Sequence, residues 1–565
     1  MPYDLVVRNG TVVDGSGAPR FRADVAVSEG KIAAVGRVPE RGKRELDADG
    51  HVVTPGFIDG HTHMDAQIFW DQLGSCSCYH GVTSVVMGNC GFTIAPCREE
   101  DAELVIRNLE RAEDISRDAM LAGIRWSWET FPEFLDTLDA LPKGINYAGY
   151  IGHSALRNYV MGERGFTDAP TDEELQTMCD AVQEAVRAGA MGFSTSRTPN
   201  HVTADDRPVA SRAASWDEVR AIVHAMGRTG RGIFEIAQEN TGRDPEAIRA
   251  YHDRIRDLAV ESGVPLTWGM FASRFAPDRW RPFMDLLDET AAAGGRMFAQ
   301  VHSRPLNTLL SFKTQLPFDR WDTWRDIRAL PLTEQQRALR DPDTRAKLVE
   351  VANGPAPGGK IVGVEARPPD YDHLYIMDDM RGEDRLLRDV AAERGMDPVD
   401  LMIELSLQKN LGQFFRQPAA NEDQDAVLEL MQHPRSVVTF SDSGAHVSQI
   451  MDSSLQTHVL AHWVREKEAL TLEEAVRQLS FNNASHWGMF DRGLVREGMN
   501  ADLLVFDPET VAPAMPEVVN DLPAGAKRLK QVAKGIKNTI VNGEVFLEDN
   551  EHTGATAGRL FRGIA

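Results

Sequence analysis

Cysteine is scarce in this chain of 565 residues, and the few thiols occur in an odd number. The five cysteines are Cys76, Cys78, Cys90, Cys97 and Cys179. Such a count favours a reducing compartment over a disulfide framework, so we expect the protein to be cytoplasmic. A reduced thiolate is also a good ligand for zinc.

Basic charge and long apolar runs are also scarce. The formal net charge is −24 at pH 7, from 61 Lys and Arg against 85 Asp and Glu. Nucleic acids and anionic membranes bind basic patches, so the sequence predicts neither as a partner. No apolar run reaches the roughly 18 residues of a membrane span, and no signal segment is recognised. We therefore expect a small-molecule substrate, and the sequence leaves open whether the chain forms a homo-oligomer.

Strands that alternate with helices indicate a parallel α/β architecture over most of the chain. The eight predicted strands are 52–60, 82–89, 146–152, 190–195, 232–237, 264–270, 296–302 and 436–442. Helical patterns lie between several of them, for example at 171–188 and 215–228. Eight such units fit a closed (β/α)8 TIM-like barrel, whose active site lies at the carboxyl ends of the strands.

Short strands near both chain ends predict a separate small β domain. The segment Tyr3–Gly15 is predicted to form a hairpin with an Asn-Gly turn, and strands of similar style return at 501–507 and 540–545. Two such sets can bury their apolar faces by packing into one β-sandwich. We therefore expect residues 1–54 and 496–565 to form this domain together.

The barrel domain is then predicted at 55–495, with one large insertion. The seventh and eighth predicted strands are separated by about 130 residues, far more than an ordinary loop. This segment, 305–435, contains helical patterns and an aromatic-rich stretch at 318–324. We interpret it as an insertion over the barrel mouth, which could act as a lid.

The most informative segment is Pro55–His63, with the sequence Pro-Gly-Phe-Ile-Asp-Gly-His-Thr-His. Side chains alternate between the faces of a strand, so His61 and His63 project to the same side. Two neutral imidazoles in this arrangement can bind one divalent metal, with nitrogen about 2.0–2.1 Å from zinc. The alternative is that they form ordinary hydrogen bonds in a turn.

Asp442 follows the eighth predicted strand, at the expected active-site end. A carboxylate facing two histidines across a barrel could bind the metal and accept a proton from its bound water. Zinc lowers the pKa of that water toward about 7. We predict Asp442 as a metal ligand and a catalytic residue; the alternative is a helix N-cap.

Cys90 and Glu235 are further candidate metal ligands. Cys90 follows the second strand, where its thiolate could bind zinc, although an isolated buried cysteine is usually inert packing. Glu235 is a charge within the apolar fifth strand, and a buried carboxylate needs a metal or an arginine as partner. The alternative for Glu235 is a solvated end of the barrel.

Two histidines and two arginines complete the candidate site. His153 and His302 end the third and seventh strands and could act as catalytic donors, ligands or orienting groups, or form structural hydrogen bonds. Arg197 and Arg304 follow strand ends. The arginine fork matches a carboxylate, so either could bind an acidic substrate group; most arginines, however, are surface residues.

These motifs together resemble the amidohydrolase superfamily, and within it the branch of N-acyl-D-amino-acid deacylases. The motifs that carry the resemblance are Asp4–Gly15, Pro55–His63, Gly81–Thr83, Gly88–Gly91, Gly152–Ser154, Gly192–Thr195, Ser441-Asp442, Ala501–Val505 and Val541–Gly543. The resemblance implies a distorted (β/α)8 barrel of the amidohydrolase type with a small β-sandwich domain. It also implies that His61, His63 and Asp442 belong to the metal site, with Cys90 as a further ligand.

The chain departs from this family pattern at two strands. Members of the deacylase branch are expected to place zinc-binding histidines at the ends of the fifth and sixth strands, and neither strand here has one. Either Glu235 and His302 substitute for them, or the centre has fewer ligands. We expect one or two Zn²⁺ ions, or another divalent metal.

The function that these residues predict is hydrolysis of an amide C–N bond by a metal-activated hydroxide, with Asp442 transferring the proton. The expected substrate is an N-acyl (D-)amino acid or a similar small amide. A cyclic amide, lactone or ester hydrolase on the same centre is one alternative. The other is a non-catalytic binding relative, which the missing histidines make conceivable.

Overall fold

The structure, a computed structural model, describes residues 3–359, 365, 367–380 and 385–563. Its parallel strands follow one another in chain order within two sheets. The three-stranded sheet contains Phe57–Asp59, Val82–Met87 and Asn146–Gly149. The six-stranded sheet contains Ile151–Gly152, Gly192–Ser196, Ile233–Ala237, Leu266–Met270, Met297–Val301 and Ser436–Val438. A strand is present at each of the eight predicted positions, and the third is divided into Asn146–Gly149 and Ile151–Gly152. The eight strands keep their predicted numbers, and the carboxyl ends of successive strands lie along common edges.

Helices connect or follow these strands. They are Ala102–Leu109, Arg117–Gly123, Phe131–Ala140, His153–Met161, Asp172–Ala188, Trp216–Gly227, Pro245–Ser262, Arg281–Ala292, Gln424–Gln432, Leu455–His458, Leu472–Arg477 and Asn483–His486. Thr171 and Glu174 form a capping box at the start of Asp172–Ala188, and Met178 and Val182 bury one face of this helix. Among the described residues, none of the helices has both the length and the apolar composition to cross a membrane.

Strands from both ends of the chain form one nine-stranded sheet. They are Tyr3–Val12, Phe21–Ser28, Lys31–Gly36, Gly42–Asp47, Val52–Pro55, Leu503–Phe506, Ile536–Val541, Glu544–Glu548 and Glu551–His552. The strand Val52–Pro55 joins the two sets, because it pairs parallel with Tyr3–Val12 and antiparallel with Leu503–Phe506. Two small antiparallel sheets pair Ala512–Pro513 with Ala533–Lys534 and Glu517–Val519 with Arg528–Lys530.

The predicted first strand, 52–60, is divided between two sheets. Val52–Pro55 belongs to the sheet of the chain ends, whereas Phe57–Asp59 begins the three-stranded parallel sheet. Gly56 lies at the junction, where a Cβ atom would be 2.2 Å from the hydroxyl of Thr83. This close approach requires glycine, so the Pro-Gly pair lets the chain leave one sheet and enter the other.

The predicted N-terminal hairpin is wrong. Tyr3–Val12 is a single strand, and its register against the next strand shifts between Val7 and Gly10. Asn9 has φ +58°, so the Asn-Gly pair forms a bulge instead of a turn. The strand pairs with neighbours on both sides, and these pairings favour a continuous strand over a reversal.

Between the seventh and eighth parallel strands, the chain builds a separate layer. Its antiparallel sheet contains Leu306–Leu310, Phe414–Ala420, Tyr375–Met377 and Arg385–Leu386. Its helices are Asp322–Arg328, Leu332–Arg340, Pro342–Ala352, Leu387–Arg394 and Pro398–Gln408. Buried apolar side chains, including Phe318 and Trp324 of the aromatic stretch, form their own cluster here. The predicted insertion 305–435 also contains residues 360–364, 366 and 381–384, which lie outside the described part of the chain.

Candidate metal centre

Four predicted side chains converge beyond the ends of the first, second and eighth parallel strands. The donor atoms of His61, His63 and Cys90 all lie within 4.8 Å of one another. Asp442 Oδ1 lies 3.3 Å from His61 Nε2 and 3.5 Å from His63 Nε2. Cys90 Sγ lies 3.5 Å from His61 Nε2. The fold therefore brings these four predicted residues together.

The donor separations fit a tetrahedral metal ion. The two separations from Asp442 exceed the 2.7–3.2 Å of an ordinary N–H···O hydrogen bond. Metal–nitrogen bonds of 2.0–2.1 Å in tetrahedral geometry place neighbouring donors about 3.4 Å apart. Two imidazoles, one thiol and one carboxylate are also a donor set that zinc accepts. The residues present therefore fit a zinc ion.

Backbone contacts hold the strand ends in register. The N–H of Asp442 donates to the carbonyl of His61 across 3.2 Å, and the N–H of His63 donates to Ser443 across 2.8 Å. Cys90 has φ +55° and Asp442 has φ +52°, in the left-handed region that non-glycine residues rarely adopt. Such conformations cost on the order of 1–3 kcal/mol, and residues that hold them cluster at functional sites.

Gln300, which the motifs in the sequence did not indicate, orients His61. Nδ1 of His61 lies 2.5 Å from Gln300 Oε1, and Gln300 Nε2 donates to the hydroxyl of Thr267 across 3.1 Å. A proton on Nδ1 leaves Nε2 with a lone pair that faces Cys90 and Asp442. A polar residue inside the apolar strand Met297–Val301 was the signal available in the sequence.

Glu235 supports Cys90 from the fifth parallel strand. The N–H of Cys90 donates to Glu235 Oε2 across 2.6 Å, and the side chain is fully buried. Oε1 has no hydrogen-bond partner within the described part of the chain. Burial raises the pKa of Glu235 to about 8. Glu235 thus contacts the centre through the backbone N–H of Cys90.

The electrostatics of the two histidines differ. Burial and the nearby imidazole of His63 lower the pKa of His61 to about 3, despite the opposing effect of Asp442. Burial also opposes protonation of His63, but the carboxylates of Glu113 and Asp442 outweigh it and raise its pKa to about 9. Burial holds the pKa of the Cys90 thiol well above its usual range. A bound cation favours the deprotonated forms of all these ligands.

Three residues that sequence reasoning missed lie beside His63. Glu113 Oε2 is 3.5 Å from His63 Nε2 and 3.6 Å from His446 Nε2. Glu113 Oε1 is 3.9 Å from His201 Nε2. These residues lie in loops rather than at predicted strand ends. His446 stands four residues after Asp442, and this spacing was the only available signal.

His302 lies in a neighbouring buried cluster. Its Nδ1 lies 2.9 Å from the carbonyl of Arg304, and its Nε2 lies 3.6 Å from Asp452 Oδ1. His302 is not among the residues whose donor atoms converge within 4.8 Å in the described structure. Arg304 donates to the hydroxyl of Ser454 and to the carbonyl of Met451. Its guanidinium therefore contacts protein groups.

His153 and Arg197 contact protein groups too. His153 Nδ1 lies 2.8 Å from Thr195 Oγ1, and its Nε2 lies 2.9 Å from Glu218 Oε1. Both ring nitrogens are thus occupied. Arg197 pairs with Glu239 at 3.1 Å and lies over the ring of Trp216. The structure does not place either side chain with the four converging residues.

Parallel βα units with histidine, thiol and carboxylate donors beyond their strand ends are typical of metal-dependent hydrolases with an α/β fold. The chain belongs to the amidohydrolase family, whose family model matches residues 44–546. It is 28% identical to the D-aminoacylase of Alcaligenes xylosoxydans xylosoxydans, over 99% of this chain and 97% of that protein. It is 29% identical to the N-acyl-D-glutamate deacylase of the same organism, over 96% and 93%.

A solved structure shares the fold. It is the N-acyl-D-glutamate deacylase of Bordetella bronchiseptica in complex with zinc and a phosphonate inhibitor, a mimic of the tetrahedral intermediate. The TM-score is 0.66 at 24% sequence identity, with all of both chains covered. This protein therefore has an amidohydrolase-type fold.

Proposed function

We propose that this protein is a metal-dependent amidohydrolase that cleaves the amide C–N bond of an N-acyl amino acid of D configuration or a similar small amide. The observation that carries the proposal is the convergence of His61, His63, Cys90 and Asp442, with three donor separations of 3.3–3.5 Å. The D-aminoacylase and the N-acyl-D-glutamate deacylase, similar over nearly the whole chain, support the substrate class.

These four residues would hold one zinc ion, and Glu235 and Gln300 would fix the orientation of Cys90 and His61. When bound, the ion acts as a Lewis acid toward the substrate carbonyl and lowers the pKa of water toward about 7. The side chain of Asp442 is 15% exposed, whereas those of the two histidines are at most 2% exposed. Asp442 is therefore the member of the four that a substrate can reach from solvent.

Asp442 would move the proton. Burial raises its pKa, but His63 and His61 outweigh this effect and hold the pKa below its usual range. The carboxylate is therefore in its basic form at neutral pH. It can accept a proton from the attacking water and pass it to the leaving nitrogen, as general acid–base catalysis requires.

His302 and Asp452 would bind a polar group of the substrate. Nε2 of His302 and both carboxylate oxygens of Asp452 have no hydrogen-bond partner among the residues the structure describes. Both side chains are buried, and hydrogen bonds to a polar ligand would offset the cost of burying these unpartnered atoms. Arg304, which was predicted to bind the substrate, would act indirectly. Its Nε lies 3.9 Å from Asp452 Oδ1 and would hold that carboxylate in place. The contacts of Arg197 and His153 supply no support for direct substrate contact.

The same proposal includes the domain division. Residues 55–495 would form a distorted (β/α)8 barrel, with 305–435 as a lid-like insertion. Residues 1–54 and 496–565 would form the small β-sandwich. Closure of the barrel is supported by Asn483 Nδ2, which donates to Ile58 O and Val438 O across 2.7 and 3.0 Å. All five cysteines are unpaired, which supports a cytoplasmic location.

Metal analysis combined with enantiomer-specific assays tests the function. Purified protein should contain zinc and release amino acid from N-acyl-D-amino acids in preference to their L enantiomers. Each L enantiomer is the matched control for its D partner, because the two differ only in stereochemistry. Protein that binds no metal and hydrolyses neither enantiomer would refute the proposal.

A further inference from the structure

The turn that carries Cys90, residues Gly88–Gly91, has an unusual backbone. Gly88, Cys90 and Gly91 have φ of +80°, +55° and +77°, so three of its four residues lie in the left-handed region. A cysteine rarely adopts this region and holds it only where the surrounding structure requires it. Relaxation of this Cys90 turn would move the thiol. The contacts around the turn therefore determine where the sulfur lies.

The hydroxyl of Ser194 bridges the two ends of the Cys90 turn. It accepts a hydrogen bond from the N–H of Gly91 across 3.0 Å, and it donates a hydrogen bond to the carbonyl of Gly88. Ser194 is fully buried. A hydroxyl oxygen can donate and accept at the same atom, which the methyl group of an alanine cannot do. One side-chain oxygen therefore closes the turn.

Ser194 and Glu235 act on the turn side by side. They are register partners on the fourth and fifth parallel strands, so their side chains project to the same face of the sheet. The hydroxyl of Ser194 accepts from the N–H of Gly91, and the carboxylate of Glu235 accepts from the N–H of Cys90. Two consecutive N–H groups of the turn are thus bound by two neighbouring strand positions.

The opposite side of the turn is bound to the segment that carries the two histidine ligands. The N–H of Gly88 donates to Asp65 Oδ2 across 2.9 Å. Nδ2 of Asn89 donates to the carbonyl of Thr62, the residue between the two histidines, across 3.1 Å. The Cys90 turn is therefore held between the histidine segment on one side and the fourth and fifth strands on the other.

We propose that Ser194 is a positioning residue for the thiol of Cys90. Its hydroxyl fixes the turn so that Sγ lies 3.5 Å from His61 Nε2, close to the roughly 3.4 Å between neighbouring ligands of a tetrahedral ion. Ligands that are already held in place bind a metal more tightly, because less has to be ordered on binding. This role rests on the metal centre of the proposed function, but not on the reaction assigned to that centre.

Cobalt binding in two backgrounds tests this role. Competition with a chromophoric chelator would measure the Co²⁺ affinity of metal-stripped protein, and the thiolate-to-cobalt absorption band reports whether Cys90 is a ligand. Ser194→Ala should lower the affinity about 10–100-fold and weaken the band. Cys90→Ala keeps the other three proposed ligands, and adding Ser194→Ala to it should lower the affinity no further. A general structural loss would instead lower the affinity in both backgrounds.

Two further variants show whether the effect is specific. Ser194→Thr keeps the hydroxyl and should retain the band. Ser480→Ala removes an equally buried hydroxyl, which donates to the carbonyl of Val476 across 2.6 Å, and should change neither the affinity nor the band. Circular dichroism would confirm that each variant is folded.

Three results would each overturn the proposal. They are wild-type affinity and band in Ser194→Ala, an equal loss of affinity in both backgrounds, and loss of the band in folded Ser194→Thr. Wild type without the band would overturn it too, because Cys90 would then not be a ligand. Wild type that shows the band but hydrolyses no amide would refute the proposed function and leave the role of Ser194 standing.

Discussion

The peptide N–H of Cys90 donates a hydrogen bond to Glu235 Oε2 across 2.6 Å and thereby joins the ends of the second and fifth parallel strands. Cys90 holds a left-handed backbone conformation at this point, with φ +55°. Glu235 thus supplies the acceptor that this strained turn requires, since a buried N–H without a partner is costly. The carboxylate acts on the centre through the backbone.

Removing this acceptor should loosen the centre. Glu235→Ala leaves the N–H of Cys90 without a partner, and we expect zinc affinity to fall about 10–100-fold. Glu235→Gln keeps a carbonyl acceptor and should lose less. Competition with a chromophoric chelator measures both affinities. Equal affinities for wild type and Glu235→Ala would contradict the role assigned here.

His61→Ala and His63→Ala should each lower bound metal and activity, because each removes one nitrogen ligand from the metal centre. Elemental analysis of the dialysed protein and turnover of an N-acyl-D-amino acid measure the two effects. His224→Ala, on the surface, should change neither. Wild-type metal content and turnover in both variants of the centre would be the contrary result.

Asp442→Asn should reduce turnover by on the order of 10²–10⁴-fold, since the amide has a similar size but cannot accept the proton. The melting temperature should change little by comparison, because the shape of the side chain is kept. Steady-state kinetics on the zinc-loaded variant and thermal unfolding measure the two effects. If the folded variant turned over almost as fast as wild type, Asp442 would have no proton-transfer role.

The buried Glu218 should contribute mainly to stability. It accepts hydrogen bonds from Arg157 and lies 2.9 Å from His153 Nε2, and removing it leaves the guanidinium uncompensated. We expect Glu218→Ala to cost about 3–5 kcal/mol in free energy of unfolding. The exposed pair of Glu261 and Arg220 is the control, and Glu261→Ala should cost about 1 kcal/mol or less. Urea unfolding measures both losses.

Glu218 should also make the free energy of unfolding depend on pH. Burial raises the pKa of Glu218, but His153 and Arg157 outweigh it, so the folded-state pKa lies below the ordinary value. A carboxylate with a lowered pKa stabilises the fold above its ordinary pKa, and this contribution is lost as the pH falls through the folded-state value. Wild type should therefore lose stability on acidification more steeply than Glu218→Ala. If the free energy of unfolding fell equally in the two proteins between about pH 5 and pH 3, this expectation would be contradicted.

Local patterns in the sequence predicted the parallel strands and the four converging residues. Strand periodicity and the position of a residue after a strand are short-range properties, so His61, His63, Cys90 and Asp442 could be located. The Asn-Gly pair at Asn9 misled the prediction, because pairing on both sides of the strand turned a turn signal into a bulge.

The remaining site residues could not be predicted from local patterns. Glu113 and His201 lie in loops far apart in sequence, and only the folded chain brings them to His63. The pairing of His153 with Glu218 could not be predicted either. Glu218 lies on a helix whose buried face has the apolar pattern of ordinary packing. Long-range contacts of this kind follow from the whole fold rather than from any one segment.

The sheet built from both chain ends determines the order in which a nascent protein can finish folding. On the ribosome, Val52–Pro55 is made before the parallel strands, but its antiparallel partner Leu503–Phe506 is made only after all of them. Until then one edge of the early strand is unpaired, and an open edge can pair with a foreign strand. Completion of this sheet therefore waits until the parallel strands have been made, and a product terminated before Leu503 keeps an open edge for chaperones and proteases.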